Sequence, residues 1–192
     1  MKIGVLGMQG DIEEHLAMLS KIGVEGIRVK SVKTLEEVDG LIMPGGESTT
    51  MLRLLKLTGL FDHLKEKIRN GFPVYGTCAG LILLAKDVSN PVQDSLKVLD
   101  VAVSRNGYGR QIDSFHAMIP LSILDGDLFD AVFIRAPIIT RAGNVEVIGT
   151  YGGNPVFVRD TNVIASTFHP ELSEDTRIHE FFVRMVENAV SH

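Results

Sequence analysis

The sequence holds a single cysteine, Cys78, and no tryptophan. One cysteine excludes an internal disulfide, and with it the stapled scaffolds of small secreted proteins. The expected setting is a reducing compartment, the cytoplasm. There is no cluster of lysine or arginine, and the formal net charge is −5, so an electrostatic footprint for nucleic acid is missing. No apolar run approaches the ~20 residues that a membrane-spanning helix needs. Met1 leads straight into the strand-like Lys2–Leu6 without a basic stretch and long apolar segment, which argues against a secretory leader. Internal repeats, low-complexity tracts and linkers are also missing. The 192 residues are expected to form one domain, 1–192, with a core that needs neither disulfide nor metal.

What is present first is an alternation of short apolar runs and helical patterns. Residues 2–6 read as a buried strand, followed by Gly7-Met8-Gln9-Gly10. Asp11 is placed to cap a helix with Ile12, Leu16 and Leu19 on its apolar face. Residues 26–30 and 40–43 are further strand candidates, the second ending in Pro44-Gly45-Gly46. Residues 49–57 read as a helix and 72–75 as a strand running into Gly76-Thr77-Cys78-Ala79-Gly80, with the next helix begun over 81–86. Such repetition predicts parallel strands joined by right-handed crossovers, with ligands at the carboxyl ends of the strands. In the second half, residues 98–103, 131–134, 145–151, 155–159 and 162–168 read as strands with little helix between them. Gly152-Gly153-Asn154 signals a hairpin, so the sheet is expected to gain antiparallel strands. Ser173 is placed to cap a closing helix to about residue 190, with Glu174 and Asp175 in its first turn.

Cys78 carries the most information. Strand, Gly76-x-Cys78-x-Gly80, then helix is the pattern of a nucleophile elbow with cysteine in place of serine. Side chains at the two glycine positions would collide with the neighbouring strand and helix. A cysteine at a helix N-terminus is favoured as the reactive thiolate, and the Ala79 N–H is placed to meet a developing oxyanion. An inert buried thiol is the usual state of a lone cysteine, but the flanking glycines favour a nucleophile.

A cysteine hydrolase needs a base and a group to orient it. His15, His63 and His179 lie in helical patterns with charged neighbours and read as solvated helix surface; His192 is the last residue, and His116 follows Phe115 in a segment without a clear pattern. His169 ends an apolar strand and continues as Pro170-Glu171. Residues two apart in extended chain face the same side, and a residue before proline avoids the helical region. His169 and Glu171 are therefore expected to share a pocket.

Pro44-Gly45-Gly46-Glu47-Ser48-Thr49 also joins a strand to a helix. The lysine and glycine spacing of a phosphate loop are missing. Ser48 or Thr49 can cap the helix, while two glycines permit an unusual amide orientation that suits a second oxyanion N–H.

Together, Pro44-Gly45-Gly46-Glu47-Ser48, Gly76-Thr77-Cys78-Ala79-Gly80 and Phe168-His169-Pro170-Glu171 resemble class I, triad-type glutamine amidotransferase domains. More narrowly, the chain resembles the glutaminase subunits of pyridoxal 5′-phosphate synthase. That likeness rests on Gly4-Val5-Leu6 with Gln9-Gly10, on Arg105-Asn106-x-x-Gly109-Arg110-Gln111, on Ser114-Phe115 and on Phe133-Ile134-Arg135-Ala136-Pro137. It spans essentially the whole chain. The chain departs from the family pattern at His116, where an acidic residue commonly follows Ser-Phe.

The resemblance implies a three-layer, flavodoxin-like α/β fold: a mostly parallel central sheet with helices on both faces and antiparallel additions in the C-terminal half. It implies hydrolysis of L-glutamine to glutamate and ammonia, with Cys78 as nucleophile, His169 as proton shuttle and Glu171 orienting it. Gly46, Glu47, Ser48, Arg105, Ile134 and Arg135 would contact glutamine, and Gly46 and Ala79 would form the oxyanion hole. Gln9 and Gly10 would lie near the interface with a separate synthase chain that takes the ammonia. No metal or cofactor is implied. Glutaminase activity is expected to be low until that chain docks. The alternatives are another cysteine-elbow hydrolase of similar architecture, peptidase-like or glyoxalase-like, and a binding module that has lost its chemistry.

Overall fold

The structure is a computed structural model that describes residues 1–107, 114–125 and 127–191. The first half runs β1 (Lys2–Leu6), α1 (Ile12–Lys21), β2 (Glu25–Val29), α2 (Val32–Leu35), β3 (Gly40–Met43), α3 (Ser48–Leu57), α4 (Leu60–Arg69), β4 (Val74–Thr77) and α5 (Ala79–Leu84). The second half runs β5 (Ala85–Ser89), β6 (Leu99–Ser104), β7 (Ser114–Pro120), β8 (Leu128–Ile134), β9 (Ile138–Ala142), β10 (Glu146–Tyr151), β11 (Asn154–Asp160), β12 (Val163–Ser166) and α6 (Arg177–Val190).

Seven strands form the central sheet in the order β10-β11-β12-β4-β3-β1-β2. The five from β12 to β2 are mutually parallel, and β11 and β10 add antiparallel at one edge. Gly152 and Gly153, both at positive φ, turn β10 into β11. The inner strands read as unbroken apolar runs because both faces are covered. In β3, Leu41 and Met43 face one core while Ile42 faces the other; in β4, Val74 and Tyr75 divide the same way. One core packs Met51 and Leu55 of α3, Leu60 and Leu64 of α4 and all of α5 except Gly80. The other packs Leu19 of α1, Phe182 and Val186 of α6, and Ile119 and Phe129 of the β7–β8 hairpin. This is the three-layer arrangement the sequence implied.

Several local expectations are corrected. Residues 98–103 and 131–134 do form strands, but outside the central sheet: β6 pairs with β5 and β9, and β8 pairs with β7. The helix expected over 81–86 begins at Ala79 and stops at Leu84, where the chain turns extended at Ala85 and enters β5. Glu47, rather than Ser48 or Thr49, caps α3 through the N–H groups of Thr49 and Thr50 at 3.1 and 2.7 Å. The closing helix starts only at Arg177. Ser173 instead accepts the Asp175 N–H at 3.2 Å, and Asp175 accepts the Arg177 N–H at 3.0 Å. Glu174 and Asp175 therefore precede the helix. Gly109, Arg110 and Gln111 of the family motif, and His192, lie outside the described residues.

Candidate active site

The site sits at the carboxyl ends of four adjacent strands, β12, β4, β3 and β1, as expected for an α/β sheet. Cys78 follows β4 with φ 48 and ψ −99, a strained left-handed turn that only a tightly packed elbow retains. Its N–H is held by the Ser166 carbonyl of β12 at 2.9 Å. The glycines behave as the sequence suggested. A Cβ on Gly76 would lie 2.6 Å from Leu84 and 2.7 Å from the Gly80 backbone; one on Gly80 would lie 2.1 Å from the Met43 carbonyl oxygen of β3. The Ala79 N–H opens α5 and has no intrahelical acceptor.

His169 is buried, and its backbone N–H is fixed by the Val132 carbonyl of β8 at 2.8 Å. The hairpin outside the central sheet thus sets where the imidazole stands. Its Nδ1 lies 2.8 Å from Glu171 Oε1. The pair does not meet along an extended strand: Pro170–Leu172 form a short 3-10 turn that folds Glu171 back beneath the ring. Burial disfavours the charged ring, but hydrogen bonds with Asp11, Cys78 and Glu171 outweigh it and hold the His169 pKa well above its usual value, up to about 12. Burial dominates at Glu171 and raises its pKa, although the bond to His169 opposes this.

Asp11 reaches the same nitrogen, its Oδ2 3.2 Å from Nδ1 of His169. It makes no side-chain cap to α1, contrary to the sequence reading. Asp11, His169 and Glu171 bring one donor atom each within 4.8 Å of one another, the one such group among the described residues that could geometrically hold a cation. Two carboxylates converging on one ring N–H account for that geometry without an ion.

The loop after β3 is tied to the loop after β1. Gln9 Oε1 accepts the Glu47 N–H at 2.8 Å, and the Gly45 carbonyl accepts the Asp11 N–H at 3.1 Å. Gly10, at φ +103, approaches so closely that a Cβ there would lie 1.8 Å from the Gly45 oxygen.

Above these groups opens a cleft of about 330 Å³. It is lined by Gln9, Asp11, Gly46, Glu47, Ser48, Cys78, Ile82, Arg105, Asn106, Ile134, Arg135 and His169. The structure therefore brings together Cys78 and His169, the expected nucleophile and base, and all six residues implied to contact glutamine. Glu171, Ala79 and Gly10 lie behind the lining. A roomier depression of about 630 Å³ at the β10–β11 edge has neither cysteine nor histidine on its wall.

The two arginines differ. Arg105 Nη2 bonds Thr49 Oγ1 at 3.0 Å and lies 3.5 Å from Glu47 Oε1. Arg135 is exposed at φ 41 and pairs with no carboxylate among the described residues. Ser48 is buried and donates to Gln93 Oε1 at 3.0 Å. His63 is a surface residue as expected, against Glu36 at 2.6 Å, and His116 sits exposed beside Asp130 at 3.2 Å on the hairpin. His15 and His179 are not helix surface: both are fully buried, their rings linked at 2.9 Å. Asp11, Ile82 and Gln93 were not picked out from sequence as site residues. For Asp11 the signal was its place just past the carboxyl end of β1.

A cysteine elbow at the centre of a parallel sheet, met by a histidine from the neighbouring strand, defines the class of triad-type amidotransferases and their cysteine-hydrolase kin. By sequence, the chain belongs to the SNO glutamine amidotransferase family, whose profile matches residues 5–188. It is 55% identical over 188 residues to pyridoxal 5′-phosphate synthase subunit PdxT of Thermosipho africanus, covering 97% of this chain and 100% of that one. The protein of the same name from Kosmotoga olearia is 56% identical over 188 residues, covering 97% and 98%. A crystal structure of a glutamine amidotransferase superposes with a TM-score of 0.91 at 42% identity, over 96% of this chain and 98% of that one. The chain is an enzyme with glutaminase activity. No helix among the described residues is long and apolar enough to cross a membrane.

Proposed function

We propose that this chain works as one glutaminase domain in the cytoplasm, hydrolysing L-glutamine with a Cys78-His169-Glu171 triad and delivering the ammonia to a separate pyridoxal 5′-phosphate synthase chain. The observation that carries the reading is His169, which lines the same cleft as Cys78 and has its Nδ1 2.8 Å from Glu171 Oε1.

The steps follow from that placement. Glu171 engages Nδ1 and leaves Nε2 for the proton drawn from Cys78, forming beside the sulfur the imidazolium that the raised His169 pKa favours. The sulfur adds to the glutamine side-chain carbonyl, and the oxyanion is met by the N–H groups of Ala79 and Gly46; one such donor typically lowers the barrier by ~3–4 kcal/mol. His169 returns the proton to the leaving nitrogen, and ammonia departs from a thioester. Water then attacks that thioester, giving its proton to His169. Collapse releases glutamate and restores the thiol. These steps use no metal or cofactor. Arg135, exposed and without a carboxylate partner among the described residues, suits the substrate α-carboxylate through a bidentate pair. Glu47, Ser48, Arg105 and Ile134 shape the remaining wall. The relatives' name, synthase subunit, supports a partner chain that consumes the ammonia. Gln9 and Gly10, bound to the loop carrying Gly46, are placed to pass a docking event to the oxyanion hole.

A diazoketone analogue of glutamine tests this. It is expected to label Cys78 alone and to abolish glutamate production, as Cys78→Ala does. Labelling elsewhere, or undiminished turnover by the alanine variant with the synthase present, would overturn the assignment.

A further inference from the structure

Glu171 uses only one of its oxygens in the triad. The other, Oε2, is buried without a hydrogen bond in the resting geometry. A second imidazole stands behind it. His15 of α1 directs Nε2 to within 3.5 Å of Glu171 Oε2 and 3.3 Å of Thr77 Oγ1. Its other nitrogen, Nδ1, lies 2.9 Å from Nε2 of His179 on α6, and Nδ1 of His179 is buried without a partner. Packing alone does not explain this arrangement, since two desolvated imidazoles and a carboxylate each cost free energy that apolar side chains would not.

We propose that His15 is a positioning residue for the glutaminase reaction: its Nε2–H donates to Oε2 of Glu171 and holds the carboxylate charged and aimed at His169, while His179 fixes the His15 tautomer. The inference rests on the triad reading given above.

Counting protons selects this arrangement. A single proton lies between the two rings. If His179 Nε2–H donates to His15 Nδ1, the His15 proton sits on Nε2 and faces the carboxylate; the orphan is a lone pair on His179 Nδ1. In the reverse case a His15 lone pair faces Glu171, and His179 Nδ1–H becomes a buried donor without an acceptor. A lone pair against a carboxylate repels, and an orphaned donor is the rarer and costlier defect. The resting 3.5 Å is long for a hydrogen bond, as catalytic contacts often are before substrate binds.

Both rings stay neutral. Desolvation, followed by the neighbouring His179 and His169, puts the His15 pKa well below its usual value, and desolvation lowers His179 to about 4. His15 therefore offers an N–H without a positive charge that would compete with His169. The groups facing it are His179 from α6, Thr77 from β4, and Glu171 and His169 from the turn after β12; the Tyr75 ring stands edge-on to His179.

Two amide substitutions separate positioning from packing, assayed as glutamine hydrolysis with the synthase present. His15→Gln carries an N–H donor to the reach of Nε2; His15→Asn carries the same group only to the reach of Nδ1. The glutamine variant is expected to keep kcat within about three-fold, and the asparagine variant to lose about ten-fold or more with KM unchanged, the rate equivalent of one hydrogen bond to a charged group. In the asparagine variant the acid limb of the pH profile should also move to higher pH, because an unsupported Glu171 holds its proton longer. Equal rates and coincident acid limbs for the two variants would overturn the proposal. If neither variant folds, ring ¹⁵N shifts of the wild-type chain decide: His15 protonated on Nε2 supports it, and on Nδ1 refutes it. Glu171→Gln is the control for the triad itself. Should that variant keep full activity, the triad reading fails, whatever His15 does.

Discussion

Asp11 Oδ2 lies 3.2 Å from Nδ1 of His169, the nitrogen that Glu171 Oε1 holds at 2.8 Å. Two carboxylates thus act on one imidazole, one from the first strand's loop and one from the last. A histidine whose folded pKa is raised contributes stability that is fully present below its unfolded value, near 6.5, and lost as pH rises through the folded value, here about 12. Asp11→Asn removes one of the charges sustaining that window. Its upper edge is expected to move down: thermal stability should decline at a lower alkaline pH than in the wild type, and the His169 Cε1 proton should titrate earlier by NMR. Superimposable curves would show that Asp11 does not act on the ring.

Gly80→Ala is expected to fail through β3 rather than through the nucleophile. The added methyl would lie 2.1 Å from the Met43 carbonyl oxygen, a backbone atom with little room to yield. Overpacking of this kind costs about 1–3 kcal/mol. The midpoint of urea unfolding should fall, with glutaminase activity lost as the elbow shifts. An unchanged midpoint would contradict the packing described.

Arg135 and Arg105 should respond differently to removal. Arg135→Gln takes away a cation with no carboxylate partner among the described residues, and a hydrogen bond to a charged group contributes about 1.5–3 kcal/mol. KM for glutamine should rise about ten-fold or more, with kcat little changed. Arg105 also braces Glu47 and Thr49, so Arg105→Gln should disturb kcat as well as KM. Steady-state kinetics on the two variants distinguishes these outcomes; a KM unaffected in Arg135→Gln would remove that residue from the substrate site.

Gln9→Ala frees the Glu47 N–H that Gln9 Oε1 holds at 2.8 Å. The loop carrying Gly46 then loses one of its two ties to the loop after β1. The ratio of glutaminase rates with and without the synthase should change by several-fold. If the wild type hydrolyses glutamine equally fast in both conditions, docking does not gate the site at all.

The parts legible in the sequence are those where sterics leave few choices. β1 and β3 show as apolar runs bounded by glycine or proline because both their faces are buried. The elbow shows because nothing larger than glycine fits at positions 76 and 80. What stayed hidden was decided by tertiary contact. Asp11 stands where a helix cap belongs, yet its carboxylate goes to His169, more than 150 positions away in the chain. Ser173 looks like a cap, but the turn at Pro170 and the Asp175–Arg177 contact delay the helix. His15 and His179 were misread from their charged neighbours in sequence. On a helix the informative neighbours are three and four residues away. Those are Met18 and Leu19 for His15, Phe182 and Val183 for His179, all of them buried.

Because the strand before Cys78 is flanked by β12 and β3, with β1 next beyond, the groups around His169 come from positions 11 to 171 and assemble only when the early and late segments share one sheet. A nascent chain still lacking β12 has Cys78 and Asp11 but neither His169 nor Glu171. On the proposed triad, such a ribosome-bound intermediate is expected not to consume glutamine, and hydrolysis to begin only once synthesis has passed the last strand.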